Sequence, residues 1–260
     1  MAKAKFVMCE DGVRIAYDVT GSGPALMLLH GGGDGHSRLS WDEAGYVDRL
    51  KDQFKVITID ARGFGESDHP ENAGAYAIDR MCQDILDVAD AIGVEEFIVW
   101  GYSYGGNIGR FLATRAIRVK KLIVIGIPFG LAAPGEFREF ILDFTAKWGP
   151  ILQAHQEGTL DLNALDLEDR EDLEEVNMAV FVAWLTAMLD WGKVEPADLQ
   201  CPTFWISGTE NAATMASIQE NQSILSGTLV ATEIFNGLNH RDEFFEIETV
   251  FPSMLDFTIG

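Results

Sequence analysis

Phe97-Ile-Val-Trp100-Gly101-Tyr-Ser103-Tyr-Gly105-Gly-Asn-Ile108 is the stretch on which the reading of this chain turns. The apolar run Phe97 to Trp100 has the length and composition of a buried strand. From Tyr104 onward the apolar positions Ile108, Phe111 and Leu112 fall at helical spacing. Between the two lies Gly101-Tyr-Ser-Tyr-Gly105, a GxSxG sequence set in a strand–turn–helix context. Glycines on either side let strand and helix backbones approach without clash, and Ser103 between them is forced into a tight, strained turn. A serine hydroxyl is not nucleophilic near neutral pH without a base beside it. What else the sequence supplies therefore decides whether Ser103 reacts.

Outward from this stretch the chain alternates short apolar runs with longer helical patterns. Strand-like runs read at Phe6–Met8, Ile15–Val19, Ala25–Leu29, Val56–Ile59, Phe97–Trp100, Leu122–Ile125, Phe204–Ser207 and Val230–Phe235. In 78–92 the set Ile78, Met81, Cys82, Ile85, Val88, Ala89 and Ile92 follows the i, i+3, i+4, i+7 rule, and Gly93 stops it. Such alternation predicts an α/β fold: a mostly parallel eight-stranded sheet with helices on both faces. Glu10-Asp-Gly12 between the first two runs is a turn signal, so residues 5–19 read as an antiparallel hairpin at a sheet edge. From 131 to 199 no convincing strand is legible. Helical spacing marks Phe137–Trp148 and Val176–Trp191, with Val180, Trp184, Met188 and Trp191 along one side. Residues 157–175 between them hold nine acidic side chains and one arginine, a solvated face. The expected organisation is a core of 1–130 and 200–260 with a helical cap inserted at 131–199.

A base is available. Among five histidines, His30, His36 and His69 precede Ser103, and His155 falls in the cap. His240 alone follows the last strand, in Phe235-Asn-Gly-Leu-Asn-His240, on a loop at the carboxyl end of the sheet. It is the expected general base. His30-Gly-Gly-Gly33 follows the Ala25–Leu29 strand, and its glycines free the backbone to turn N–H groups toward a developing oxyanion. The Gly32 and Tyr104 N–H groups are the expected oxyanion hole.

With these residues the chain resembles the α/β-hydrolase superfamily, of the small-cap serine esterase or lactonase kind. Asp60-Ala-Arg-Gly-Phe-Gly-Glu-Ser67 resembles the DxRGxGxS segment of that family, whose role there is structural. The likeness covers 5–130 and 200–258; the cap is not distinctive. It implies a catalytic triad and an acyl-enzyme on Ser103. A serine in place of aspartate at this position argues against the haloalkane dehalogenase and epoxide hydrolase branches. In the family the third triad member is commonly an Asp after the seventh strand. Here that loop reads Ser207-Gly-Thr-Glu210-Asn211, so Glu210 is the first choice for the acid, Asn211 the second and a carboxylate elsewhere the third. Gly126-Ile-Pro-Phe-Gly130, at the end of the sixth strand, offers no acid. The expected substrate is a small, largely apolar carboxylic ester or lactone. A carbon–carbon bond hydrolase on the same triad, a cyanohydrin lyase and a binding member without turnover are the rivals.

Composition sets limits. At 260 residues the chain suffices for one sizeable core, and 47% hydrophobic with 23% charged residues is ordinary for a globular protein. The net charge of −22 argues against nucleic acid and anionic membrane surfaces as partners. In the N-terminal stretch the apolar run Phe6–Cys9 is too short for a signal segment, and Leu122–Pro134 is too short and too broken for a membrane span. Three dispersed cysteines, Cys9, Cys82 and Cys201, without CxxC spacing suit a reducing cytoplasm. No metal-ligand pattern and no GxGxxG fingerprint appears, so neither a metal nor another cofactor is expected. A small molecule is the expected partner, with monomer and homodimer both open.

Overall fold

The computed structural model describes residues 4–33 and 35–260, so the first three residues of the N-terminal stretch lie outside it. All eight anticipated runs are strands of one sheet: β1 (Lys5–Met8), β2 (Arg14–Thr20), β3 (Ala25–Leu29), β4 (Lys55–Ile59), β5 (Phe97–Tyr102), β6 (Val119–Ile125), β9 (Thr203–Gly208) and β10 (Val230–Phe235). Their order is β1-β2-β4-β3-β5-β6-β9-β10. β1 and β2 form the antiparallel edge hairpin, β2 meets β4 antiparallel, and every other neighbour is parallel. Residues along β3 alternate between faces, as period-2 geometry demands. Leu26 and Leu28 join one apolar core with Trp41, Tyr46, Trp100 and Phe244; Met27 and Leu29 join the other. Both faces being covered explains why the central strands read as unbroken apolar runs.

Helices supply the covers. α1 (Ser40–Glu43), α2 (Tyr46–Leu50) and the C-terminal α9 (Asp242–Phe245) and α10 (Ile247–Ile259) pack on the first face. α3 (Ile78–Ala91), α4 (Tyr104–Ala113) and α8 (Ala212–Leu225) lie on the second. In α3 the predicted apolar stripe is buried from Ile78 to Ala89, and so is Asp84, which hydrophobic spacing cannot foresee. Its carboxylate accepts two hydrogen bonds from Arg62, at 2.8 and 2.6 Å, which also pairs with Asp11 of the hairpin turn. The DxRGxGxS-like loop thus ties α3 to β1–β2.

The insertion comprises α5 (Gly135–Gln156), α6 (Leu167–Glu175) and α7 (Met178–Met188). The acidic stretch is part loop and part α6, and its side chains are mostly solvent-facing. One expectation fails: residues 131–199 are not strand-free. β7 (Gly130–Leu131) pairs antiparallel with β8 (Lys193–Val194), closing the neck where the chain leaves and rejoins the core. A two-residue ladder carries no periodic signal, hence its invisibility in the sequence. Arg110 of α4, fully buried, braces this neck by donating to the carbonyls of Pro128 and Leu131. Burial pushes its guanidinium down to about 9, with the Glu195 carboxylate opposing the shift only in part. Cys9, Cys82 and Cys201 are buried free thiols, and no described helix is long and apolar enough to cross a membrane.

His30 fixes the glycine loop that follows β3. Its Nδ1 faces the Gly31 carbonyl at 2.6 Å, and its Nε2 accepts the Ala61 N–H at 3.1 Å. That pair of bonds needs a neutral ring, one nitrogen donating and the other accepting. Burial agrees, pushing the ring down to about 4. The unfolded chain takes up this proton near pH 6.5, the folded chain only near pH 4. The neutral ring's contribution is therefore complete above about pH 6.5 and lost as pH falls toward 4, about 3 kcal/mol in all. Urea unfolding measured from pH 7.5 to 4.5 should show a shallower acid decline for His30→Gln, whose amide donates and accepts without titrating. Parallel declines for both proteins would refute this.

Candidate active site

Ser103 sits at the carboxyl end of β5 with φ 51° and ψ −114°, and no other non-glycine residue among those described has positive φ. Backbone held there costs on the order of 1–3 kcal/mol, and such strain gathers at functional sites. Close approach on both sides enforces it. A Cβ on Gly101 would stand 2.5 Å from the Gly105 carbonyl oxygen, and one on Gly105 would stand 2.2 Å from that of Leu29. The Gly105 N–H donates to the His30 carbonyl at 2.9 Å, drawing α4 onto the end of β3. The serine therefore projects ahead of the helix N-terminus, where unpaired N–H groups and the dipole favour negative charge.

His240 meets it across 137 residues of chain. Its Nε2 lies 3.0 Å from the Ser103 Oγ, and its ring stacks on Tyr102 with centroids 5.2 Å apart. Tyr102 in turn donates its hydroxyl to the His240 carbonyl at 3.1 Å. The imidazole is thus held on its face as well as at both nitrogens.

The carboxylate beside His240 is not Glu210. The Glu210 side chain is exposed, and its backbone N–H is spent on the Leu238 carbonyl at 3.0 Å. Its neighbour Asn211 caps α8 and turns inward, which sends residue 210 outward. Glu243, on the short helix α9, takes the place instead: its Oε2 lies 3.2 Å from His240 Nδ1, and the residue is fully buried. Donors surround it. Gly208 N–H lies at 2.6 Å, the Ser207 hydroxyl at 3.2 Å and the Asn211 amide nitrogen at 3.0 and 3.1 Å from its two oxygens. A buried carboxylate requires such donors. With Glu243 accepting, Nδ1 must carry the proton and Nε2 must accept from Ser103. Sequence reasoning missed Glu243 because it sought the acid between nucleophile and histidine. The signal was present in His240-Arg-Asp-Glu243, an i, i+3 pair on a helical turn.

Gly32 and Tyr104 are neighbours: a Cβ on Gly32 would lie 3.1 Å from that of Tyr104. Tyr104 is the first residue of α4, so its N–H has no intrahelical acceptor. Above Ser103 opens a cavity of about 920 Å³ reaching from the strand ends to the cap. Ile127, Phe129, Phe137, Phe181, Trp184 and Met188 give it an apolar lining. The cap stripe divides by role. Trp184 and Met188 face the cavity, whereas Trp191 packs on Tyr104 and Phe111 and donates its indole N–H to the Tyr76 carbonyl at 2.8 Å. Among the described residues no group of three or more His, Cys, Asp or Glu is arranged to hold a metal ion.

Comparison with known proteins agrees with this architecture. The sequence model of the family described as alpha/beta hydrolase fold matches residues 24–165, more than half of the chain. Epoxide hydrolase 4 of Mus musculus is 32% identical over 141 residues, covering 53% of this chain and 37% of that protein. A putative 2-succinyl-6-hydroxy-2,4-cyclohexadiene-1-carboxylate synthase of Bacillus subtilis (strain 168) is 33% identical over 141 residues, covering 52% and 49% respectively. The chain spans less than half the length of these relatives. Among solved structures, an esterase from Exiguobacterium antarcticum superimposes with a TM-score of 0.74 at 17% identity, over 99% of this chain and 100% of that one. Taken with the sheet order and the strained serine turn, the family match places this chain in the alpha/beta hydrolase fold family.

Proposed function

We propose that the protein is a serine hydrolase that cleaves a largely apolar carboxylic ester or lactone through an acyl-enzyme on Ser103. The observation that carries this reading is the 3.0 Å contact of Ser103 Oγ with His240 Nε2 at a positive-φ turn. In the forward step Oγ attacks the acyl carbonyl while its proton passes to Nε2. The oxyanion forms between the Gly32 and Tyr104 N–H groups, each such donor being worth about 10²–10³ in rate. Collapse of the tetrahedral species expels the alkoxide, which takes the proton from Nε2. A water then gives its proton to the same nitrogen and attacks the ester carbon, freeing the acid and restoring Ser103. Glu243 holds the Nδ1 proton in place throughout and balances the imidazolium charge.

Ser103 also bears on the epoxide hydrolases to which the chain is similar. Opening an epoxide with a carboxylate gives an ester that water can cleave. Opening it with a serine hydroxyl would give an alkyl ether with no carbonyl for water to attack. Acyl transfer is the chemistry that turns over on this residue.

A fluorophosphonate probe is expected to label Ser103 and no other residue, as read by mass spectrometry. Labelling unchanged in Ser103→Ala would sink the assignment. Turnover of p-nitrophenyl esters from acetate to decanoate should accompany it. Labelling without hydrolysis of any ester or lactone in a broad panel would favour the carbon–carbon bond hydrolase.

The cap should govern chain length. Trp184→Ala and Met188→Ala enlarge the cavity beside the acyl carbon. They are expected to raise kcat/KM for octanoate relative to acetate by about tenfold, one buried methylene contributing about 0.8 kcal/mol. Equal losses for every ester, with a lowered Tm, would make both residues ordinary packing.

A further inference from the structure

Asn211 occupies the position where a carboxylate is expected, yet the structure gives it other work. Its Oδ1 accepts the Thr214 N–H at 3.3 Å, capping α8, and this fixes which way the amide faces. The NH₂ group is thereby turned inward, 2.9 Å from the Gly126 carbonyl and 3.0 and 3.1 Å from the two oxygens of Glu243. An amide nitrogen has two protons and no lone pair to offer. One proton serves Gly126 and the other Glu243. None remains for His240 Nδ1, 3.4 Å away, whose own proton points to Glu243. Asn211 touches the base without bonding to it.

We propose that Asn211 is a positioning residue that must be a neutral donor: it locks Glu243 against His240, and the two form a unit in which carboxylate and amide can exchange places. The proposal rests on the serine hydrolase reading. Its physical content is a count of donors and acceptors. An Asp at 211 would set an anionic oxygen against the Gly126 carbonyl and both Glu243 oxygens, three acceptors at about 3 Å with no proton between them. Two carboxylates this close share a proton rather than both ionise, so the pair would hold His240 less well. In Asn211→Asp combined with Glu243→Gln the donors reverse. The new Gln amide donates to the new Asp, whose oxygen stands where the amide nitrogen is now, 3.4 Å from Nδ1. The Gly126 carbonyl loses its donor and faces the Asp oxygen in its place, so recovery should be partial.

Gly126 is the third member. It follows β6 with φ +73°, and a Cβ there would fall 2.1 Å from Glu243 Oε2 and 2.8 Å from His240 Nδ1. Absence of a side chain at 126 opens the space that the Glu243 carboxylate fills.

The test compares wild type, Asn211→Asp, Glu243→Gln and the double variant, each checked for folding by near-ultraviolet circular dichroism. Two readouts apply: the rate of fluorophosphonate labelling at Ser103, and the downfield proton resonance of His240 Nδ1 in ¹⁵N-histidine-labelled protein. Glu243→Gln is expected to slow labelling by about 10²–10⁴ and move the Nδ1 proton upfield. Asn211→Asp should slow labelling about tenfold, although it restores an acid at the usual place. The double variant should label about tenfold faster than Glu243→Gln and return the proton downfield. Asn211→Asp labelling as fast as wild type would overturn the proposal, as would a folded double variant no faster than Glu243→Gln. Should the double variant unfold, Asn211→Asp alone decides. A wild type that resists the probe, with the Nδ1 proton shifting as described, would remove the hydrolase reading and keep the Asn211–Glu243 unit. Labelling of the wild type with an Nδ1 proton indifferent to all three variants would do the reverse.

Discussion

The contact between the end of β3 and the start of α4 constrains everything near Ser103. Two backbones meet there with no room for a Cβ at Gly105, and the serine between β5 and α4 is driven to positive φ. Neither hydrogen bonds nor apolar packing would choose that conformation alone; the surrounding sheet imposes it. β3 and β5 pair in parallel from Ala25↔Phe97 to Leu29↔Gly101, so a shift of register would move the glycine loop and the serine apart. The strain at one residue is sustained by the packing of two whole strands.

Buried charge is handled consistently around that point. Asp60, fully buried, accepts from the Arg38 and Glu66 backbone N–H groups and pairs with the Arg38 guanidinium. Asp84 is matched by Arg62, and Glu243 by four donors from three segments. Isolated buried ions are too costly to persist, so each carboxylate draws two or three loops together. The ion pairs stabilise little against an apolar replacement, but they fix which loop lies against which. That is why the DxRGxGxS-like segment shapes the site without touching its chemistry.

The sheet and the serine turn were legible because their signals are local. Strand runs, the α3 stripe and Gly101-Tyr-Ser-Tyr-Gly105 are each contained in a short window, and His240 could be placed by its position after the last strand. Three features escaped. The β7–β8 neck and the Asp84–Arg62 pair depend on contacts between separate segments, whereas Glu243, three residues beyond His240, escaped because the acid was sought ahead of the histidine. Charge and reach favour Glu210 over Asn211 in the sequence. Charge says what a residue could do, whereas the α8 cap decides which way residues 210 and 211 point.

The acid could move because the imidazole constrains a position in space and not a place in the chain. Three loop ends converge within hydrogen-bond reach of His240 Nδ1: Gly126 after β6, Asn211 after β9 and Glu243 on α9. A carboxylate borne on any one of them could accept the Nδ1 proton, provided the other two supply space and donors. In this chain Gly126 supplies the space, Asn211 the donor, and Glu243, one methylene longer than Asp, the reach. Chain order of the serine, histidine and carboxylate is then a consequence of which loop carries the charge, and an argument from order fails wherever two loops have exchanged duties. What physics conserves is the count: one proton on Nδ1, one carboxylate to receive it, and enough donors to keep that carboxylate buried.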